Sequence, residues 1–390
     1  IGLPTALMLA SHGNQVMGTD YNHKLVKQLS DGKVTFKEDG LAALLKKAVG
    51  KNVAFSTEYQ QAEVYIISVP TPYDRESKKV DPGYVISAVT SVMEICPDDA
   101  IIVIESTIPP GTIDKYIRPI LNGKNISIAH SPERIIPGNM IHELSHNART
   151  IGADDEAVGN RVKEIYATFC QGDIILTDIR SAEMIKVVEN TFRDVNIAYA
   201  NELSRICHES GLDVYEVIRI ANTHPRVDIL QPGPGVGGHC ISVDPWFLVG
   251  DYPDSVNIIK TAREVNDGQP GYILQRVIKL EESLHIMDVS RIGFYGITYK
   301  ADVDDTRESP MLQMFGIMGT RRDYIRVYDP YVERDIFLNQ YHDLGEFLDG
   351  LELLVIMVGH SEIKTQQNKL AKIKVFDTCH FLSGPNVISL

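Results

Sequence analysis

Short β-branched runs alternate with helical patterns through the first half of this chain, and no other feature restricts its fold as much. Residues 15–19, 64–69, 101–105, 126–130 and 174–177 read as strands. Strands separated by helical segments pair in parallel, with helices covering both faces of the sheet. Between 181 and 221 the pattern changes to a proline-free helical stretch, interrupted near Gly211, in which apolar positions recur at three and four. That spacing predicts an all-α segment. A loop dense in turn formers follows, Gln231-Pro232-Gly233-Pro234-Gly235-Val236-Gly237-Gly238-His239-Cys240, and then a second helical stretch over 255–284. Strands return at 291–296, 325–328, 353–358 and 373–376. The order is therefore α/β, then α, then α/β, and 390 residues are ample for two or three domains with full cores.

Charge and composition exclude several function classes. Lys plus Arg is 38 and Asp plus Glu is 52, and the net −14 argues against a protein that coats nucleic-acid phosphates. Apolar runs such as Ile101 to Ile104 and Leu353 to Val358 are strand-length, far short of the about 20 residues that a membrane-spanning helix needs. A soluble protein is expected. Five cysteines, Cys96, Cys170, Cys207, Cys240 and Cys379, are widely spaced without a C-x-x-C pair. A disulfide framework or zinc knuckle is not expected from them, and a reducing, cytoplasmic setting fits best.

Ile1-Gly2-Leu3-Pro4, an apolar helical pattern, and the strand ending at Asp20 resemble the back half of a dinucleotide-binding βαβ unit. Gly2 would let helix and strand pack closely, and Asp20 would hold the adenosine ribose hydroxyls. A carboxylate there favours NAD over NADP, because it repels a 2′-phosphate. The first strand and the phosphate-cradling glycines of such a unit would lie before Ile1. Three further strand ends carry polar residues and prolines: Ser68-Val69-Pro70-Thr71-Pro72, Glu105-Ser106-Thr107-Ile108-Pro109 and His130-Ser131-Pro132-Glu133-Arg134. Ligands of doubly wound sheets sit at these carboxyl ends, and proline holds such turns extended.

Two shorter motifs call for opposite readings. His142-Glu143-Leu144-Ser145-His146 matches H-E-x-x-H, the zinc-protease helix, with Glu164 as a distant third ligand. Pro137-Gly138-Asn139 leaves only a short helix to carry it, no G-x-x-H continuation follows, and Arg149-Thr150-Ile151-Gly152 reads as a strand starting at once. A polar surface turn without metal is the expectation. Lys186 and Asn190, four apart, share one helix face. Solvated helices often carry such a pair, but the Gly-rich loop ending at Cys240 gives it meaning. Glycine and proline can wrap a ligand closely, and a cysteine at the loop's end is either a nucleophile activated by nearby positive charge or an inert packed thiol. Asp244, four residues on, is a candidate base or orienting acid.

The stretch from His224-Pro225-Arg226 through the glycine loop to His239-Cys240-Ile241-Ser242-Val243-Asp244-Pro245-Trp246-Phe247 resembles the catalytic loop of the nucleotide-sugar 6-dehydrogenases. Ser131-Pro132-Glu133-Arg134, Glu183-Met184-Ile185-Lys186-Val187-Val188-Glu189-Asn190 and Tyr299-Lys300-Ala301-Asp302-Val303-Asp304-Asp305-Thr306-Arg307-Glu308-Ser309-Pro310 follow in the family's order. The resemblance implies an α/β fold of two Rossmann-like doubly wound domains flanking a central all-α dimerisation domain. The boundaries would be 1–178 for the NAD domain, 179–286 for the helical domain with the cysteine loop, and 287–390 for the UDP domain. It further implies a homodimer, NAD as cofactor and a UDP-sugar as substrate. His239 and the Val-Asp-Pro-Trp tail point within the family to UDP-N-acetyl-D-mannosamine. UDP-N-acetylglucosamine, which differs only at C2, is the alternative, and a silent nucleotide-sugar binder is the reading from another class.

Carried over by the resemblance, Cys240 is the nucleophile, Lys186 and Asn190 stabilise oxyanions, and Asp244 and Glu133 handle water and protons. Glu133, Arg134, Lys186, Asn190, Arg226, Gly237 and Lys300 would contact substrate, with Arg226 reaching the partner subunit's site. Gly2, Asp20, Pro70, Thr71, Ser106, Thr107 and Arg307 would meet NAD. The implied chemistry is a four-electron oxidation of the sugar C6 alcohol through a Cys240 thiohemiacetal and thioester.

Overall fold

The strand Ile101–Ile104 is buried along its whole length, which explains why it is apolar throughout rather than alternating. Successive residues face opposite sides of the sheet. Ile102 and Ile104 join one core layer with Val85, Val89 and Val92, and Ile101 and Val103 join another with Met8, Leu9, Val162 and Tyr166. The computed structural model describes residues 1–121 and 123–390, which divide into two compact units, Ile1–Glu189 and Asn190–Leu390. Each is mixed α/β with mostly parallel sheets.

In the first unit the order is α1 (Gly2–Ser11), β1 (Val16–Thr19), α2 (His23–Ser30), α3 (Leu41–Ala48), β2 (Val53–Ser56), β3 (Val64–Ile67), α4 (Gly83–Ile95), β4 (Ile101–Ile104), β5 (Ser127–His130), α5 (Met140–His146), β6 (Arg149–Ala153), α6 (Glu156–Ala167) and β7 (Ile174–Thr177). β1 and β2 form a two-stranded parallel sheet, and β3 to β7 lie in chain order in a five-stranded one. Asn22 caps α2 by accepting from Lys24 N and Leu25 N, and Asp155 caps α6 by accepting from Ala157 N. The strand β2 has no counterpart in the sequence reading. It is four residues long and only Val53 is fully buried, so it offers neither an apolar run nor a clear alternation.

The sheet corrects one expectation, that of parallel pairing throughout. β5 and β6 pair antiparallel, with Ala129 opposite Ala153 and His130 opposite Gly152. An antiparallel neighbour starts at the end where its predecessor finishes, so the connection through α5 does not cross the sheet. It stays at the carboxyl end of β3, β4 and β5. Ser131 to Arg134 and the first residue of β6, Arg149, are thereby gathered at that end.

A 32-residue helix, α7 (Ile179–Ser210), leaves the first unit and enters the second. At about 1.5 Å per residue it is roughly 48 Å long. It ends beside Gly211, whose φ of +69° is a left-handed conformation that glycine adopts without penalty.

The second unit continues with α8 (Val214–Ala221), α9 (Asp244–Asp251), α10 (Asn257–Ser283), β8 (Ile292–Tyr295), α11 (Pro310–Ile317), β9 (Arg326–Tyr328), β10 (Gln340–Tyr341), α12 (Leu344–Leu348), β11 (Leu353–Ile356), α13 (Ser361–Thr365), β12 (Lys374–Asp377) and β13 (Val387–Ser389). Its six strands are all parallel, in the spatial order β10-β9-β8-β11-β12-β13. That is a doubly wound order, and the direction of winding reverses between β8 and β11. Phe294, Val327, Leu353 and Val355 pack toward Ile273, Val277, Met311 and Met314, while Leu354, Ile356 and Val375 pack toward Phe347 and Ile363. Among the described residues no helix is long and apolar enough to cross a membrane.

Candidate active site

In the first unit the carboxyl ends of the strands carry a buried charge cluster. Arg149 donates to Glu133 Oε2 at 2.5 Å and lies 3.7 Å from Glu105 Oε1, with its guanidinium carbon 4.1 Å from the centre of the Tyr166 ring. The other Glu133 oxygen accepts from Arg134 N at 2.7 Å, so both are engaged. Glu105 accepts from Ser68 Oγ at 2.5 Å and from Thr5 Oγ1 and Tyr166 Oη at 3.3 Å each. Burial, followed by the charge of Glu133, pushes the Glu105 carboxyl above its ordinary range although Arg149 opposes the shift. Two carboxylates thus share one guanidinium. Sequence reasoning missed Arg149, whose only signal is a charged residue opening an otherwise uncharged strand, Arg149-Thr150-Ile151-Gly152-Ala153.

The remaining first-unit candidates fall at the same end. Gly2 opens α1, and a Cβ there would lie 3.2 Å from Ser68 Cβ, so glycine permits the close approach of the helix to the end of β3. Asp20 follows β1 and accepts from Asn22 N at 2.8 Å through Oδ1. Among the described residues its Oδ2 makes no hydrogen bond that would keep a ribose hydroxyl away. These two features fit a dinucleotide: a helix start without side-chain bulk and a half-exposed carboxylate beyond β1. Pro70 is exposed, and Thr71 and Thr107 are half-buried, in the loops after β3 and β4. The Ser106 hydroxyl donates to Val69 O at 2.7 Å and accepts from Val69 N at 2.8 Å, which ties those two loops together. Arg134 pairs with Glu189 on α7 and donates to Ala148 O at 3.0 Å. Lys186, one turn before Asn190, is buried and makes no hydrogen bond or ion pair among the described residues.

His142 and His146 do not splay as a pair of ligands would. Their rings stack at 4.1 Å, and Glu143 accepts from Ile136 N at 2.8 Å. Among the described residues no group of three or more His, Cys, Asp or Glu side chains is placed to hold a metal.

In the second unit Cys240 is exposed and Asp244 is buried at the first turn of α9. Asn190 Nδ2 donates to Asp244 Oδ2 at 2.6 Å, and Asp244 N donates to Cys240 O at 2.8 Å. The thiol-bearing loop is locked to the segment after β8. A Cβ on Gly237 would lie 2.6 Å from Glu308 O and 2.7 Å from Tyr299 Cβ, and Gly238 N donates to Arg307 O at 3.0 Å. Arg307 itself pairs with Asp305. His239 is held below its ordinary value by burial and by the charge of Arg307, against the opposing charges of Asp305 and Glu308. Arg226 is exposed on the loop after α8.

Lys300 follows β8 at the switch point, where a doubly wound sheet opens its crevice. Asp329 and His360 brace that loop. Asp329 accepts from Ile297 N at 2.6 Å, Thr298 N at 3.1 Å and His360 Nε2 at 3.1 Å, and His360 Nδ1 accepts from Asp302 N at 2.9 Å. Burial alone would push Asp329 up, but His360 and the N–H groups of Ile297 and Tyr331 hold it below its ordinary value.

Comparison with known proteins matches three successive segments of the chain, the middle one crossing from the first unit into the second. Residues 1–170 match the NAD binding domain of the UDP-glucose/GDP-mannose dehydrogenase family, residues 180–268 its central domain, and residues 293–384 its UDP binding domain. The UDP-N-acetyl-D-mannosamine dehydrogenase of Methanococcus aeolicus is 44% identical over 369 residues, covering 93% of this chain and 83% of its own. The Escherichia coli protein of the same name is 39% identical over 388 residues, covering 93% and 92%. The solved UDP-D-ManNAc dehydrogenase of Pyrococcus horikoshii superposes with a TM-score of 0.91 at 34% identity, covering all of this chain and 96% of that one.

One carboxyl near the site gives a pH-dependent expectation. Glu183 on α7 accepts from Gly111 N at 2.5 Å and Ile113 N at 3.0 Å, yet burial pushes it up to about 7. Its folded value lies above its unfolded one, so its contribution to stability is complete below about pH 4.5 and is lost as pH rises through about 7. Glu183→Gln should remove this loss. Its stability relative to wild type should rise by about 2–3 kcal/mol between those limits. Urea unfolding across the range reads this directly, and parallel curves for the two proteins would refute it.

Proposed function

The chain belongs to the UDP-glucose/GDP-mannose dehydrogenase family, and on that premise we propose that this NAD-dependent UDP-sugar oxidoreductase converts UDP-N-acetyl-D-mannosamine to the 6-uronate. Relatives of that name at 39–44% identity over more than nine-tenths of the chain support the choice of sugar. The observation that carries the chemistry is the exposed Cys240 thiol four residues before a buried Asp244 whose carboxylate Asn190 holds. In this reading the chain carries two Rossmann-like domains around a helical segment, with residues 1–178, 179–286 and 287–390 as the three parts.

NAD⁺, when bound, supplies the hydride acceptor for both oxidations. Gly2, Asp20, Pro70, Thr71, Ser106, Thr107 and Arg307 would hold it, and Arg134, Arg226, Gly237 and Lys300 would hold the UDP-sugar. Cys240 adds to the C6 carbonyl of the aldehyde to give a thiohemiacetal, and oxidation of that adduct leaves a thioester on the same sulfur. Lys186 and Asn190 donate to the oxyanion of each tetrahedral species. Donors of this kind are worth about 3–4 kcal/mol each where one has been deleted in other enzymes. Asp244 and Glu133 orient the water that attacks the thioester carbonyl and accept its proton, and the sulfur leaves as thiolate.

A homodimer belongs to the same reading. Ile185, Val188, Phe192, Tyr199 and Ile206 are exposed on α7 at intervals of three, four and seven residues, the spacing of a seam between helices. Sedimentation at micromolar concentration should give twice the mass of one chain, and a monomer would contradict the seam.

The substrate and the covalent route are tested together by counting NADH formed per UDP-sugar consumed. UDP-N-acetyl-D-mannosamine should give two, with UDP-N-acetylglucosamine and UDP-glucose turned over more slowly. Cys240→Ala should form no uronate. One NADH per sugar, or normal turnover by the alanine variant, would remove covalent catalysis. Binding of all three sugars without NADH would favour a silent binder.

A further inference from the structure

The polar core between α7 and α10 ends on the backbone of the cysteine loop. Arg263, fully buried, donates to Asp194 Oδ1 at 2.5 Å and to Asp267. Asn266 Nδ2 donates to Asp194 O at 2.9 Å and to Asp194 Oδ1 at 2.8 Å, and Asn266 Oδ1 accepts from Asn201 Nδ2 at 2.9 Å. One acceptor at the end of this relay is left over, Asn201 Oδ1, and it takes the N–H of Gly233 at 2.9 Å. From the other side Gln269 Nε2 donates to Gly233 O at 3.1 Å, while Gln269 Oε1 accepts from Arg205 Nη2 at 2.8 Å. Every amide in the relay has its orientation fixed, because reversing any one would set donor against donor or acceptor against acceptor.

The same device operates just upstream. Asn196 donates to Asp228 O at 2.8 Å and accepts from Leu230 N at 2.9 Å, and Asn222 accepts from Ile229 N at 2.8 Å and donates to Ile229 O at 2.9 Å. Four side-chain amides therefore take up backbone groups that a strand ladder would otherwise satisfy. A segment rich in glycine and proline has no ladder of its own, so these bonds determine its course. Beyond Gly233, a Cβ on Gly235 would lie 3.2 Å from the ring of Pro270, the residue after Gln269.

We propose that Asn201 and Gln269 are positioning residues for Cys240: by gripping both backbone groups of Gly233 they set the path of the 231–240 loop, and the Asp194–Arg263–Asn266 relay holds them in place. The proposal rests on Cys240 as the nucleophile. It adds residues that act through the loop backbone. The informative variant is Gln269→Glu, which keeps an acceptor for Arg205 but turns the donor facing Gly233 O into an acceptor. Asn201→Ala is the second variant, removing the acceptor for Gly233 N.

Both variants are measured for hydrogen exchange in the 229–239 segment, for alkylation of Cys240 by iodoacetamide, for thermal midpoint, and for kcat and KM. Loss of the grip should speed exchange and lower kcat per folded molecule by roughly ten-fold or more, since small misplacements of a reacting group are costly. KM for NAD⁺ should stay within about twofold. Wild-type exchange and kcat in a variant that folds would overturn the proposal, and so would a loss of activity that only tracks loss of folded protein. If Gln269→Glu does not fold, Asn201→Ala decides by the same readouts. Failure of the dehydrogenase reading itself is distinguishable, because the wild-type chain would then form no NADH while exchange and alkylation still report whether the loop is gripped.

Discussion

Close contact between two loops organises the second unit. Gly237 and Gly238 lie against Tyr299 and Glu308 so tightly that a single Cβ at Gly237 would meet a backbone carbonyl at 2.6 Å. Backbone cannot yield as a flexible side chain can, so this contact couples the thiol-bearing loop to the loop that carries Lys300 and Arg307. His360 and Asp329 then fix the second loop from below, and Asn201 and Gln269 fix the first from its far end. Cys240 itself is exposed, yet the chain on both sides of it is held by buried groups. A thiol on such a support suits the proposed chemistry, in which it adds to one carbonyl and is later released.

The first unit solves a different problem, that of keeping acids at the end of a sheet. The antiparallel turn from β5 into β6 brings Arg149 to the end where Glu133 lies. Removing the guanidinium would leave Glu133 and Glu105 buried without a counter-charge, which typically costs several kcal/mol. The three hydroxyl groups on Glu105, from Thr5, Ser68 and Tyr166, come from a helix, a strand end and a second helix. The charge cluster therefore also ties these elements together.

Much of this was legible in the sequence, for local reasons. The apolar run at 101–104 and the proline-free stretch broken at Gly211 each follow from short-range pattern, and the structure has β4 and the end of α7 there. The strand β2 was not legible because four partly exposed residues carry no pattern. The antiparallel β6 was not, because strand direction is decided by where the connection runs and not by the strand's own residues. The motifs that drew attention to Glu133, Lys186, Asn190, Cys240 and Asp244 came from local sequence, whereas Arg149, Asn201 and Gln269 lie outside them. The partners of those three are 16 to 65 residues away in the chain. Buried polar residues in helices and strands look like ordinary surface positions until their long-range partners are placed. Arg134, whose motif is local, likewise finds its side-chain partners far off, Glu189 at 55 residues and Ala148 O at 14.

The central claim is that one sulfur carries the substrate carbon between two oxidations. The most direct test slows hydrolysis and looks for the adduct. Asp244→Asn, incubated with UDP-N-acetyl-D-mannosamine and NAD⁺ and quenched in acid, should carry the acyl sugar nucleotide as a mass increment on the peptide containing Cys240. Full turnover by that variant with an unmodified Cys240 peptide at every quench time would contradict the account.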